Sequence, residues 1–163
     1  MLDPFIIDVE ASGFGASSYP IEVGVAMGRH AKYCSLIKPA TAWTHWDSSA
    51  ESFHQIKRSQ LNAHGKPVRE VALQLNSLLH DATVYSDGWV VDQPWLITLF
   101  HQAAVPMRFQ LSALEMILTE AQMEIWQATK TQVLSQTQGT RHRASYDAWV
   151  IQETYRRTRD ASA

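Results

Sequence analysis

Residues 4–10 read Pro-Phe-Ile-Ile-Asp-Val-Glu, and the stretch Ser-Gly-Phe-Gly-Ala-Ser-Ser follows at 12–18. The apolar, β-branched run predicts a strand, and the glycines and serines predict a loop after it. Side chains two positions apart lie on the same face of a strand, so Asp8 and Glu10 should converge. Neighbouring carboxylates need a compensating charge, and a hard divalent cation such as Mg²⁺ is the usual one. A chain with 16 acidic residues contains such a pair about once by chance, so the pair alone is weak support for a metal site.

Further strands and helices alternate along the rest of the chain. Four more strands are predicted from short apolar or alternating runs, at 20–27, 32–37, 83–86 and 107–109. Helices are predicted from Ser48, where Ser48 and Glu51 have the form of a capping box, and over 67–79, 92–104, 111–136 and 146–157. This order predicts an α/β domain with a mixed five-stranded sheet and helices on both faces.

Length and composition limit the class of protein. The chain has 163 residues, of which 45% are hydrophobic and 18% are charged, as expected of one folded domain with a sizeable core. We predict a single domain over 1–159 and a frayed tail at 160–163. The net charge of -2 argues against a uniformly basic surface for nucleic acid and leaves only local patches.

The sequence also predicts a cytoplasmic protein that makes no membrane contact. The single cysteine, Cys34, excludes an intramolecular disulfide and a zinc site built on several thiolates. The first residues lack the basic start of a signal peptide. No apolar run approaches the roughly 18 residues that span a bilayer.

Two more regions carry candidate site residues. Asp92 follows a predicted strand and opens a helix, and Asp87 lies just before it in an Asp-Gly pair. Both have ordinary structural roles, because Asp-Gly is a common turn and Asp a common helix N-cap. His142 and Asp147 lie five residues apart, so they would not share a helix face if both were helical. His142 is therefore expected in the loop before the last helix, from which it can reach a site lined by Asp147.

In this order, the residues resemble the DEDDh family of 3′-5′ exonucleases. These ribonuclease-H-like domains include the proofreading subunit of bacterial DNA polymerase III, ribonuclease T and oligoribonuclease. Residues 8–13, Asp-Val-Glu-Ala-Ser-Gly, are similar to the first motif of the family, and residues 20–26 to its second strand. Asp92 matches the second motif, and residues 142–148 match the third, H-x-x-x-x-D-A. As one departure, Asp-Gly at 87–88 stands where the family often has a His-Asn pair.

The resemblance implies a metal-dependent 3′-5′ exonuclease. Asp8, Glu10, Asp92 and Asp147 would hold two Mg²⁺ or Mn²⁺ ions, and His142 would be the general base. The reaction would release nucleoside 5′-monophosphates from the 3′ ends of single-stranded DNA or RNA.

Five residues beside these motifs are candidate substrate contacts. The resemblance suggests backbone or hydroxyl contacts by Ser12 and Gly13 and an aromatic face from Phe14 for the terminal base. Trp89 is a second stacking candidate, and Arg143 is a candidate phosphate contact. Packing is an ordinary role for the two aromatic residues, and a solvated helix face for the arginine.

Two other functions stay open at this stage. A catalytically silent nucleic-acid-binding or interaction domain would keep the fold without the reaction, although four converging acids argue against it. A metal-dependent phosphoesterase would act on very short oligonucleotides, and only substrate length would separate it. The resemblance also suggests a homodimer. The sequence distinguishes neither DNA from RNA nor a role for Asp87 in the metal site.

Overall fold

The computed structural model describes residues 3–139 and 141–163, and Met1, Leu2 and Thr140 lie outside the described residues. Its strands are β1 (Phe5–Ala11), β2 (Pro20–Ala26), β3 (Lys32–Leu36), β4 (Thr83–Ser86) and β5 (Gln110–Ala113). They form one sheet in the order β3-β2-β1-β4-β5. β1, β2 and β3 are antiparallel neighbours, whereas β4 pairs in parallel with β1 and β5. The predicted mixed five-stranded sheet is confirmed.

Helices connect and cover these strands. Among the described residues they are α1 (Ser48–His54), α2 (Arg58–His64), α3 (Val68–Leu79), α4 (Trp89–Ala103), α5 (Glu120–Gln136) and α6 (Ala144–Ala161). A short 3-10 helix, Leu114–Ile117, lies between β5 and α5. None of the helices in the described part of the chain is long and apolar enough to cross a lipid bilayer.

The two faces of β1 enter different layers of the fold. Ile7 points into the larger core, which α3 and α4 close. Ile6 points to the opposite face and packs with Ile151 of α6. Asp8 and Glu10 share the face of Ile6, because side chains alternate along a strand. The two acids therefore lie on the α6 side of the sheet, apart from the main apolar core.

The register of β2 brings another acid and a glycine onto the same face. Glu22 pairs with Glu10, and Gly24 pairs with Asp8. Helix α6 begins directly over Gly24, where an added Cβ would lie 2.1 Å from the backbone N of Ser145. Only a residue without a side chain allows this contact, so Gly24 sets how closely α6 approaches the sheet.

The cap of α1 differs from the prediction by one residue. Asp47 is the N-cap, and its Oδ1 accepts a 2.8 Å hydrogen bond from the backbone N of Ser49. Glu51 does not complete a capping box with Ser48, because its Oε2 accepts a hydrogen bond from Trp46 Nε1 at 2.6 Å. Two residues of similar capping ability, Asp47 and Ser48, stand side by side here, and the bond between Glu51 and Trp46 leaves Ser48 without its partner for a capping box.

The strand predicted at 107–109 is wrong, because a helix side chain binds the backbone there. Asn76 of α3 donates through Nδ2 to the carbonyl O of Pro106 at 2.8 Å, and its Oδ1 accepts from the N of Arg108 at 2.8 Å. Pairing with β4 therefore starts only at Gln110 and forms β5. Such a contact between distant residues leaves no local pattern in the sequence.

Several helix ends also differ from the predictions. Helix α5 begins at Glu120 and not at 111, because β5 and the 3-10 helix occupy the residues before it. Helix α6 reaches Ala161, so it includes part of the segment predicted to fray. Helix α4 begins at Trp89, which puts Asp92 inside the first turn and not at the N-cap. Helix α2 had no prediction, since only Leu61 of its residues is buried and no apolar periodicity marks it.

Replacing Gly24 with alanine should lower the free energy of unfolding by about 1–3 kcal/mol, the usual cost of overpacking. The added methyl group would collide with the backbone of Ala144 and Ser145. Gly88→Ala is the matched control, because the nearest heavy atom to its Cβ would lie 3.6 Å away. Denaturant unfolding of both variants measures the difference. Equal stabilities would contradict the close contact.

Candidate active site

The four predicted metal ligands come together at one edge of the sheet. Asp8 and Glu10 lie on β1, and Asp92 and Asp147 lie in the first turns of α4 and α6. Burial raises the pKa of Asp8 well above its usual range, and the charges of Asp92, Glu10 and Asp147 raise it further. The Oδ2 atom of Asp8 is buried and has no hydrogen-bond partner among the described residues. A carboxylate in this state requires a cation or a proton.

Glu10 faces a second carboxylate across the sheet. Its register partner is Glu22, and like charges directly opposite each other are destabilising. Burial raises the pKa of Glu10 to about 8, with further contributions from Asp147 and Glu22, whereas Arg143 lowers it. Glu10 therefore carries a proton near neutral pH unless a cation lies beside it.

Asp92 is held in place by the hydroxyl of Ser86. Ser86, the last residue of β4, donates through Oγ to its Oδ2 at 2.5 Å. Burial raises the pKa of Asp92 to about 7, although the hydrogen bond from Ser86 and the backbone N–H of Val9 lower it. The hydrogen bond fixes the carboxylate at the end of β4, the neighbour of β1, without neutralising it.

His142 lies in the loop before α6, as predicted. Its backbone N donates to Oδ2 of Asp147 at 2.9 Å, and its φ of 57° is left-handed, which is uncommon for a residue other than glycine. The potential ligand atoms of Glu10, His142 and Asp147 all lie within 4.8 Å of one another. The ring of Phe53 meets the imidazole edge-on, with 5.7 Å between ring centroids. The imidazole therefore lies against two of the four carboxylates.

Two further acids at this edge differ from the four because each has a cationic partner. Arg143 Nη2 lies 2.7 Å from Glu22 Oε2, and Lys130 Nζ lies 2.9 Å from Asp87 Oδ2. Within the described residues, none of the four predicted ligands forms an ion pair with lysine or arginine. Four carboxylates without such a partner, with an imidazole beside them, fit the oxygen-rich ligand sets of Mg²⁺ and Mn²⁺.

The side chain of Ser12 is engaged within the protein. The residue is fully buried, its Oγ lies 3.0 Å from Nδ1 of His45, and the same Oγ accepts from the backbone N of Tyr19 at 3.1 Å. Gly13 has a φ of 147°, and a Cβ there would lie 2.7 Å from Cβ of Asp47. Both residues shape the loop after β1, and the substrate contacts of Ser12 and Gly13 stay predictions.

The two predicted aromatic contacts are accessible. Phe14 is 72% exposed, and its ring centroid lies 6.0 Å from that of Trp95. The two rings line an open, mostly apolar groove of about 310 Å³ on the part of α4 that carries Asp92. Trp89, the first residue of α4, is 37% exposed. Stacking by Phe14 and Trp89 stays a prediction.

Arg143 and Asp87 are both engaged in ion pairs. The guanidinium of Arg143 contacts Glu22 through Nε, at 3.1 and 3.0 Å, and through Nη2. Any phosphate contact by Arg143 therefore competes with an intramolecular charge-assisted pair. Asp87 contributes to the raised pKa of Asp8, so it lies within electrostatic range of the cluster, but Lys130 balances its charge.

Sequence reasoning missed the residues that surround the four acids and set their charge environment. Ser86 and Lys130 looked ordinary in a predicted strand and a predicted helix. Glu22 gave the one usable signal, because a charged residue stands inside the otherwise apolar run of β2. A fully buried glutamate requires a partner, but the sequence does not reveal which one.

Structural comparison finds the fold in a known group of nucleases. No protein-family model matches the chain, and no curated protein matches it in sequence. A structure of exonuclease I superposes with a TM-score of 0.71 over 96% of this chain and 42% of that chain, at 12% identity. Exonuclease I of E. coli in complex with a dA16 oligonucleotide gives 0.68 over 97% and 41%, at 13% identity. Exonuclease I from Methylocaldum szegediense gives 0.59 over 78% and 30%, at 10% identity.

This chain has the exonuclease I fold. The predicted α/β ribonuclease-H-like fold class is thereby confirmed. The similarity is to exonuclease I and singles out none of the members that the motifs resemble. The chain spans about two fifths of the first exonuclease I chains that it matches. At these identities the likeness concerns the fold alone.

The metal-free protein should lose stability as the pH rises from about 5 to about 8. The pKa values of Glu10 and Asp92 are raised to about 8 and about 7, so the folded state binds more protons than the unfolded state in this range. Mg²⁺ or Mn²⁺ should raise the Tm and flatten the pH dependence, because a cation replaces the protons. Thermal melts in EDTA and in each metal, at several pH values, measure both effects.

Asp8→Asn tests the origin of this behaviour. At pH 8 in EDTA the variant should be more stable than the wild type by about 1–3 kcal/mol, since a neutral amide replaces a buried acid that either binds a proton or repels the neighbouring carboxylates. Its response to metal should shrink. Asp81→Asn is the control, because the Asp81 side chain is 84% exposed and lies outside the cluster. A metal-free Tm that rises over this pH range would contradict the electrostatic description.

Proposed function

We propose that the protein is a metal-dependent 3′-5′ exonuclease that removes nucleotides from the 3′ ends of single-stranded DNA or RNA. One observation carries the proposal: Asp8, Glu10, Asp92 and Asp147 converge without lysine or arginine partners among the described residues, and His142 lies beside them. The exonuclease I fold supports it, and solved structures of that protein include complexes with single-stranded DNA and a zinc-bound form.

The four carboxylates would hold two Mg²⁺ or Mn²⁺ ions. When bound, such ions acidify a water molecule and neutralise charge on a phosphate that is being cleaved. Two observations on these residues support metal binding. Asp8 has a buried oxygen without a hydrogen-bond partner among the described residues, and burial, together with neighbouring carboxylates, raises the pKa values of Glu10 and Asp92, so a nearby cation would stabilise their charged forms.

His142 would act as the general base. An imidazole can accept the proton of an attacking water through a ring nitrogen. The backbone bond from His142 to Asp147 ties this residue to one of the metal ligands, and Phe53 supports one edge of the ring. The imidazole is thus held at the acidic cluster while its loop position leaves room for substrate.

The terminal nucleotide would lie between the acids and the groove of Phe14 and Trp95. An exposed aromatic ring supports any base by stacking, which suits an enzyme without sequence preference. The net charge of -2 disfavours tight binding of long duplexes, so short or single-stranded ends are the expected substrates. A homodimer stays a prediction, which light scattering of the purified protein tests.

Incubation with 5′-labelled oligonucleotides tests the activity directly. We expect single-stranded DNA or RNA to shorten from the 3′ end with Mg²⁺ or Mn²⁺, to stay intact with EDTA, and to release nucleoside 5′-monophosphates. Asp8→Ala should abolish cleavage, and His142→Ala should reduce kcat by about 10²–10⁴-fold, as is usual for a general base. Asp81→Asn, remote from the cluster, should leave the rate unchanged.

Other outcomes would identify the alternatives. Binding of oligonucleotides without cleavage under any metal would favour a catalytically silent binding domain. Cleavage of dinucleotides but of no longer substrate would favour a small phosphoesterase. Internal cleavage that shortens labelled strands at random positions would contradict an exonuclease.

A further inference from the structure

We propose that Glu22 and Arg143 form a positioning pair that holds His142 and Asp147 against the acids of β1, and that Arg143 does not bind the substrate phosphate. Neither residue would touch the reacting atoms. The kinetic consequences rest on the proposed function, whereas the structural role of the pair is independent of it. Glu22 thereby has a positioning role, and Arg143 has one that differs from the phosphate contact suggested by the sequence.

The contacts of Glu22 are unusually complete for a carboxylate in a sheet. Its side chain is fully buried, and Arg143 Nε donates to both oxygens while Nη2 donates to Oε2. The backbone N of Ala144 donates to Oε1 at 2.7 Å. Both oxygens therefore have donors from the segment that leads into α6.

These contacts fix the start of α6. Ala144 is the first residue of the helix, so its N–H is one of those left without a partner inside the helix. Glu22 satisfies this N–H and brings a negative charge to the positive end of the helix dipole. His142 precedes Ala144 by two residues, and Asp147 follows it by three. A shift of the helix start would move both functional side chains together.

The loop needs such an anchor because its conformation is not intrinsically favoured. His142 has a left-handed backbone, which persists only where surrounding contacts impose it. Arg143 comes next in the chain and is tied to β2 through its side chain. Gly24 supplies the space that lets the same segment sit directly on that strand. Side-chain pairing and close backbone packing thus act on three consecutive residues, 143–145, directly after His142.

Because Glu22 and Arg143 are charged, the pair is better explained by positioning of the start of α6 than by a contribution to the stability of the fold. A buried ion pair is weak evidence of stability, because apolar residues of similar size often serve as well or better. Here Glu22 stands opposite Glu10, where another carboxylate is unfavourable, and Arg143 compensates for it. A bidentate pair with defined geometry gives orientation that an apolar contact would not give.

The alternative is that Arg143 leaves Glu22 and binds a phosphate. Its side chain is 40% exposed, so solvent reaches part of the guanidinium. The two roles differ in their kinetic effect. Loss of a phosphate ligand raises KM and leaves kcat almost unchanged, whereas loss of positioning lowers kcat.

A double-mutant cycle with Glu22→Gln, Arg143→Gln and the double variant separates the two roles. For a positioning pair we expect each single variant to lower kcat by roughly 10–100-fold, as is usual when a partner of a ligating residue is lost. KM should change less than about threefold, and the double variant should be no worse than the worse single variant. Arg156→Gln is the matched control, because Arg156 pairs with Glu153 on the same helix. Its kcat should equal that of the wild type.

Hydrogen exchange provides a measurement that needs no activity. In Glu22→Gln, the amides of residues 142–147 should exchange at least about tenfold faster, whereas the amides of β1 should keep their protection. Arg143→Lys keeps a cation but loses the bidentate geometry, so it should show an intermediate effect. This milder variant also decides the matter if Glu22→Gln fails to fold.

The outcomes are distinct. Unchanged exchange at 142–147 in a folded Glu22 or Arg143 variant would overturn the positioning pair. A KM effect confined to Arg143→Gln, with normal kcat for Glu22→Gln, would show a phosphate ligand instead. If the wild type cleaves no nucleic acid, the proposed function fails, but the exchange measurement still tests the pair.

Discussion

The crowding of negative charge on one face of β1 is the constraint on which the rest of the structure depends. Ile6, Asp8 and Glu10 alternate onto that face, and β2 adds Glu22 opposite Glu10. The apolar side of a helix could not cover such a surface. Helix α6 covers it with its N-terminus, where free N–H groups and the positive end of the dipole meet carboxylates. Its apolar side packs only further along, where Ile151 meets Ile6.

Helix α4 also directs its N-terminus toward the carboxylates of β1. Asp92 lies in its first turn, as Asp147 lies in the first turn of α6, so both acids benefit from a helix N-terminus. Burial nevertheless raises the pKa of both residues, despite donors such as the Ser86 hydroxyl. The backbone therefore reduces the repulsion among the acids without cancelling it. The remaining imbalance is relieved by bound protons or by bound cations, and the fold itself supplies neither.

The features that could be predicted from the sequence are those set by residues close together in the chain. Period-two alternation placed Asp8 and Glu10 on one face, and short apolar runs predicted four of the five strands and the class of fold. Asp92 and Asp147 could be grouped with them only through a resemblance to known motifs, because no spacing rule connects residues so far apart. The Asn76 side chain moved β5, and 121 residues separate Glu22 from Arg143. Contacts of this kind depend on the assembled fold and leave no pattern in the chain.

Ion pairing divides the acids at this edge of the sheet into two groups, and this division does not depend on similarity to any other protein. Glu22 and Asp87 have a guanidinium and an ammonium partner, and each pair links two elements of the fold. The four predicted ligands are also buried or half-buried, yet within residues 3–139 and 141–163 no lysine or arginine pairs with them. A fold that needed these acids only for structure would have no reason to treat the two groups differently, because an unpaired buried charge is costly. The difference is explained if the four acids receive their counter-charge from outside the chain, as metal ligands do, while Glu22 and Asp87 are balanced within it.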